Sequence, residues 1–306
     1  MKRISFLFIL SLFTLSSSAC EICGCGVGSN YIGLLPEFRK HIFGLRYRYN
    51  SMLTHLGVDG NRTYLTTNEH YQVIEAWGGW NIGKKFRVMA TVPYSFNERI
   101  NQGVKSSKSG LGDINLWGYY RLLNSRSTVM KSNLLVQSLW VGAGIKLPTG
   151  KYSPADKSSS STDLNLFQLG TGSVDYNLSA MYDIRLQDLG LNLTGNYKIT
   201  NNNKYHYRYG NKYNINAQVY YKFSVKKKLV IVPNLGVFYE NSALDHDNGF
   251  KVSASGGRLL SGAAGMEISY KKIAIGGNFQ TPFSQNLASG IVKANNRAMM
   301  HISFTL

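Results

Sequence analysis

The sequence predicts an all-β chain, a transmembrane antiparallel up-and-down β-barrel of about twelve strands behind a cleaved signal peptide. Three observations point there. From Tyr213 to Phe223 the odd positions are Tyr, Ile, Ala, Val, Tyr and Phe, and the even ones are Asn, Asn, Gln, Tyr and Lys. A strand sends successive side chains to opposite faces, so this stretch has one apolar face with aromatic ends and one polar face. Such two-faced runs recur along the chain. Short turns and long polar links alternate between them. That is the rhythm of an outer-membrane barrel, and a soluble sandwich gives no reason for it.

Met1 to Ala19 comes first. Lys2 and Arg3 form a charged start, Ile4 to Leu15 is apolar, and Ser16-Ser17-Ser18-Ala19 ends in small residues. This pattern is that of a secretory signal peptide, residues 1–19. No later run reaches the ~18 apolar residues of a spanning helix, so membrane residence requires a closed barrel. Residues 20–40 hold all three cysteines and read as an irregular periplasmic segment. Residues 41–306 read as the barrel, whose even strand count puts both ends on the periplasmic side.

The runs follow in order. The first, 41–50, turns Phe43, Leu45, Tyr47 and Tyr49 one way and Arg46 and Arg48 the other. The second, 70–82, sets Ile74, Ala76 and Trp80 against Glu75 and Trp77; the third, 86–96, sets Phe86, Val88, Val92 and Phe96 against Arg87. The fourth spans 112–122, with Asp113 and Arg121 opposite Leu116 and Tyr120. The fifth, 133–147, has an apolar face of Leu135, Leu139, Val141, Ala143, Ile145 and Leu147, broken by Gln137. The sixth, 173–186, opposes Tyr176, Leu178 and Ile184 to Asp175, Asp183 and Arg185. Runs at 189–200, 211–225, 229–240, 258–270, 272–282 and 297–306 complete the set. Long links fall near 51–68, 97–111, 148–165, 201–212, 241–257 and 283–296, with a medium turn at Asn124 to Ser132.

Alternation also sorts the charges. Arg46, Arg48, Arg87, Arg121, Arg185, Lys198, Lys222 and Arg297 face the lumen, with Glu75, Asp113, Asp175, Asp183, Glu240 and Glu267. A charge facing lipid at mid-membrane costs about 2–4 kcal/mol for Arg or Lys, so energy supports this register. The two signs nearly balance, which favours a pairing network that braces a narrow barrel over an anion-selective filter. Excess positive charge, 34 Lys+Arg against 16 Asp+Glu, is scattered through turns and loops without a recognition motif, so nucleic acid is not an expected partner.

Three ordered motifs remain: Gly110-Leu111-Gly112-Asp113, Lys146-Leu147-Pro148-Thr149-Gly150 and Gly170-Thr171-Gly172-Ser173-Val174-Asp175. In these the chain resembles the outer-membrane transporter-like family named for the MetA pathway of phenol degradation, distant relatives of FadL-type channels. The resemblance covers roughly 70–306, and the cysteine segment ahead of it is similar to a Bacteroidetes subgroup. It implies a barrel in the outer membrane of a Gram-negative bacterium; the chain itself is read as a monomer, with outer-membrane lipid and the barrel assembly machinery as partners. It also implies passive, porin-like transport of a small, hydrophobic molecule. The competing class is a structural or adhesive barrel. Asp113 and Asp175 are expected to bind loop backbone or arginines such as Arg121 and Arg185 rather than substrate.

Cys20, Cys23 and Cys25 have C-x-x-C-x-C spacing, which lets three thiolates converge on one Cu(I) or Zn ion. A disulfide with one odd thiol, or lipidation of Cys20, stay open beside metal binding. An enzyme is not expected. A lipase-type barrel needs a Ser–His–carboxylate cluster, and His301 with Ser303 is only strand alternation. Asp245-His246-Asp247 is a candidate metal trio in a long link.

Overall fold

The computed structural model describes residues 41–129, 133–157, 164–225 and 228–306; the expected signal peptide and Cys20, Cys23 and Cys25 lie outside the described residues. Seventeen strands follow one another: β1 (Ile42–Thr54), β2 (Thr67–Ile82), β3 (Phe86–Asn101), β4 (Val104–Leu111), β5 (Ile114–Val129), β6 (Asn133–Leu147), β7 (Asp175–Leu186), β8 (Leu189–Ile199), β9 (Tyr207–Arg208), β10 (Lys212–Tyr221), β11 (Phe223–Val225), β12 (Leu229–Ser242), β13 (Asp245–Asp247), β14 (Phe250–Val252), β15 (Gly257–Tyr270), β16 (Ile273–Leu287) and β17 (Lys293–Thr305). Fourteen of them make one antiparallel sheet. Since β4 leads into β5 and β10 into β11, they form twelve staves.

The sheet closes on itself. β1 pairs with β17 from Ile42↔Thr305 to Leu53↔Lys293, and with β2 on its other side. β10 joins β8 to β12, so the ring has no gap there either. Short turns and both ends of the described barrel share one rim, here the inner rim; the long links share the outer rim. Gln187 and Lys271, in the short turns, hold φ of 53° and 55°, the left-handed values that tight hairpins demand.

Alternation becomes two surfaces. Outward lie Phe43, Leu45, Val88, Ile215, Val219, Leu235 and Ile275, all exposed. Inward, Arg46, Glu75, Arg87, Lys198, Gln218 and Glu267 are buried. An apolar belt around a closed sheet is a surface for lipid, and the interior then carries the polar side chains.

Two links differ from the sequence expectation. The stretch 97–111 is a hairpin: β3 continues to Asn101 and β4 returns beside it, from Asn101↔Val104 to Tyr94↔Leu111. Its Lys- and Ser-rich strand has no apolar face, and a hairpin standing clear of lipid needs none. The expected turn at Asn124 is also strand, because a bulge between Arg121 and Leu123 shifts register and erases the alternation. Beyond the wall, β9, β13 and β14 form a small outer sheet over Tyr207, Tyr209 and Val252.

The lipid belt predicts a contrast. Leu235→Arg, on the wall, should cost about 2–4 kcal/mol of folding into phospholipid vesicles if it lies near the midplane. Phe250→Arg, on the outer sheet, should change stability by no more than about 0.5 kcal/mol. Urea titrations with heat-shifted gel mobility read both; equal costs would refute the assignment of the two surfaces.

Candidate functional site

The outer mouth is crossed by a segment that is not strand. Leu164 through Thr171 are all buried, in the link between β6 and β7. Buried irregular backbone must find hydrogen-bond partners. Here side chains supply them. Lys108 Nζ donates to the Phe167 carbonyl at 3.0 Å, Asn97 Nδ2 to that of Gln168 at 3.1 Å and the Tyr209 hydroxyl to that of Asn165 at 3.2 Å. The Gln168 amide reaches back to the backbone of Ser153, accepting at 2.9 Å and donating at 2.8 Å. Leu164, Leu166 and Phe167 pack in one cluster with Met52, Tyr71, Leu259, Leu287 and Ala294. Those residues belong to β1, β2, β15, β16 and β17, across the ring from β6 and β7. The segment therefore spans the lumen at its outer end.

Its return to the wall is fixed by one buried lysine. Lys146 Nζ lies 2.8 Å from Asp113 and 2.8 Å from Asp175, and it also bonds the Thr171 hydroxyl. Asp113 accepts from the backbone N–H of Gly150 and of Thr171, each at 2.9 Å. Asp175 accepts from the Ser173 hydroxyl at 2.8 Å and the Asn201 N–H at 3.1 Å, and Lys198 approaches it to 3.2 Å. All four ionic side chains are at most 2% exposed. The three motifs thus converge on one knot. Its glycines explain themselves: a Cβ on Gly170 would collide with the Asp113 carboxylate, and one on Gly150 would meet the Gly170 backbone.

The partners are not those expected. Arg121 and Arg185 lie at the inner rim, where Arg121 donates to the Lys84 carbonyl and lies 5.3 Å over the Trp140 ring, and Arg185 donates to the Gln187 carbonyl. Arg121 lies eight residues along the chain from Asp113 and Arg185 ten from Asp175, too far for contact. Lys146 was missed, although its place between Ile145 and Leu147 turns it inward by parity.

The other inward charges are spread along the wall. Glu75 takes Arg46 at 2.6 Å and also Arg48; Arg297 meets Glu240 at 2.8 Å. Lys222 lies 5.5 Å over Tyr220, and Arg87 donates to Asn81 at 3.3 Å. Arg297 on β17 passes over β16 and β15 to Glu240 on β12, and two further contacts pass over a single stave that carries glycine. The Tyr220 hydroxyl on β10 reaches Asp183 on β7 at 2.9 Å over Gly190 of β8, and His301 on β17 meets Glu267 on β15 at 2.9 Å over Gly276 of β16. A Cβ on either glycine would strike the side chain above it. Lower on the opposite wall, Trp77, Met89, Trp117, Tyr119, Trp140 and Met181 form an apolar shelf.

Catalytic geometry does not assemble around His301, since Ser303 Oγ turns to the Ala274 carbonyl at 3.5 Å. Of the metal trio, Asp245 accepts from the Tyr207 hydroxyl at 2.6 Å and the Gly210 N–H at 2.8 Å, and Asp247 pairs with Lys157. Among the described residues no three metal-ligating side chains converge.

Solved structures share this architecture. The COG4313 outer membrane channel from Pseudomonas putida F1 superposes with a TM-score of 0.62 at 13% identity, covering 91% of this chain and 98% of that one. The beta domain of the Bordetella autotransporter BrkA follows with a TM-score of 0.51 at 7% identity, covering 88% and 100%. At these identities the likeness is one of fold. No family model and no curated protein matches the chain.

The knot makes a sharp prediction. Lys146→Met leaves two buried carboxylates facing each other, and breaking a buried pair costs about 3–5 kcal/mol. The barrel should melt earlier and its 148–174 link should become open to protease in vesicles. Combining it with Asp113→Asn and Asp175→Asn should recover part of the loss. An unchanged melting temperature with unchanged protease resistance would show that the knot holds nothing in place.

Proposed function

We propose that the chain is a passive channel of a Gram-negative outer membrane, closed at rest by the segment 164–171 across its outer mouth. One observation carries this reading. The segment is held by side-chain bonds and one packed cluster rather than by a strand ladder, so it is separable from the wall. Elements that move are drawn from such locally held regions. A fold shared with an outer membrane channel agrees with it. The chain acts as a monomer placed by the barrel assembly machinery. Its cargo is a small molecule with substantial apolar surface, in keeping with the inner shelf of tryptophans and with the resemblance to the phenol-degradation family. The N-terminal cysteines Cys20, Cys23 and Cys25 bind one Cu(I) or Zn ion.

Planar-bilayer recording tests the channel. The intact protein should open rarely, and a variant with Leu164–Gly170 replaced by a Gly–Ser linker of equal length should conduct far more. If both are silent and neither swells liposomes with small solutes, the barrel is a structural or adhesive one. For the metal, purified mature protein should carry one equivalent that a triple Cys→Ser variant lacks; equal metal in both preparations removes that part of the proposal.

A further inference from the structure

Beside the crossing segment, on its outer side, lies a cavity of 590 Å³. Small-ligand sites commonly fall between about 300 and 1,000 Å³. Leu164, Leu166 and Phe167 line it from the segment, and Leu56 and Leu65 from the link after β1. Into this chamber, apolar on the side of the segment and polar elsewhere, projects Arg99 from β3, its guanidinium 4.7 Å above the Phe167 ring.

The other charges of the chamber take their close contacts elsewhere, although Glu69, Asp156 and His55 feel Arg99. Asp156 takes Lys108, and Lys157 takes Asp247. Glu69 faces Arg99 across the β2–β3 ladder, but its oxygens receive the hydroxyls of Thr54, at 3.0 Å, and of Tyr71. His55 turns to the Thr54 hydroxyl at 3.2 Å. Arg99 makes no ion pair among the described residues. A planar guanidinium stacked on an aromatic face keeps its in-plane donors for a carboxylate, which it binds in a two-pronged fashion.

We propose that this chamber binds small amphipathic monoanions, an aromatic or short alkyl body carrying one carboxylate, with Arg99 gripping the carboxylate and Phe167 and the leucines covering the body. The inference deepens the transport reading by naming the class of molecule gathered above the closed mouth. Because Phe167 belongs to the crossing segment, an occupant touches the element that must move. Such a ligand shifts the segment only to the extent that it binds its two positions unequally.

The test uses the full mature chain in lipid nanodiscs, with fluorine NMR of 4-fluorobenzoate and, as the neutral isostere, 4-fluorobenzyl alcohol. The carboxylate should broaden and titrate, and the alcohol should bind at least about tenfold more weakly, a difference of about 1.4 kcal/mol. Arg99→Gln should bring the carboxylate down to the level of the alcohol, Arg99→Lys should lie between, and Phe167→Ala should weaken both. Equal binding of the two probes, or an Arg99→Gln protein that binds the carboxylate as before, overturns the proposal. Should Arg99→Gln fail to fold, the comparison of probes on the unaltered protein and the Arg99→Lys variant decide it. Conductance is recorded separately. Carboxylate binding with no conductance or liposome swelling by either the intact protein or the linker variant leaves this site standing and removes the transport reading; conductance of the linker variant without selective binding does the reverse.

Discussion

Everything in this molecule follows from the absence of water along its wall. In hydrocarbon no strand edge can leave N–H and C=O groups unpaired, so the sheet must return to its own beginning. The seam between β1 and β17, carried from Ile42↔Thr305 to Leu53↔Lys293, is where that demand is met. Closure fixes a ring of staves, and strand alternation then leaves no choice about faces. The outside takes Val219, Leu235 and Ile275; the inside takes Arg46, Glu75, Arg87, Lys198 and Glu267.

An interior loaded in this way has its own constraint. Buried charges are tolerated only with partners, and the bore is too crowded for those partners to approach from afar. The chain solves this mostly between near staves, with Glu75 beside Arg46 and Asp175 beside Lys146 and Lys198, though Arg297 on β17 reaches Glu240 on β12 past two staves. Where the partner is two staves away, the stave between carries glycine, as Gly190 does beneath Tyr220 and Gly276 beneath His301. The same economy of space shapes the outer knot, in which Gly150 and Gly170 touch backbone to backbone so that Lys146 can lie between two aspartates.

The wall was legible in the sequence because a period of two is a strong signal wherever one face meets lipid. β6, predicted over 133–147, is observed over Asn133–Leu147. The signal failed where that asymmetry ends. The β3–β4 hairpin carries Lys105 and Lys108 beyond the lipid and reads as a loop. The bulge at Arg121 mixes the two faces. Leu164-Asn165-Leu166-Phe167 resembles any polar link with a few apolar residues, and nothing local announces that it will be buried against the far wall. Contacts between elements were hidden for a similar reason. The three glycine motifs were visible as strand ends, but their convergence depends on neighbouring staves. Asp113, Lys146 and Asp175 meet because β5, β6 and β7 stand side by side, with Lys146 in register with Asp175.

That register has a kinetic side. The crossing segment leaves the wall at β6 and rejoins it at β7, adjacent staves clasped together at Lys146 and Asp175. An unlatched segment therefore stays leashed at both ends within reach of its berth, and its effective concentration there is on the order of millimolar. In the proposed channel, reclosure would then be a first-order event, and throughput would follow the fraction of time the segment spends away from its berth.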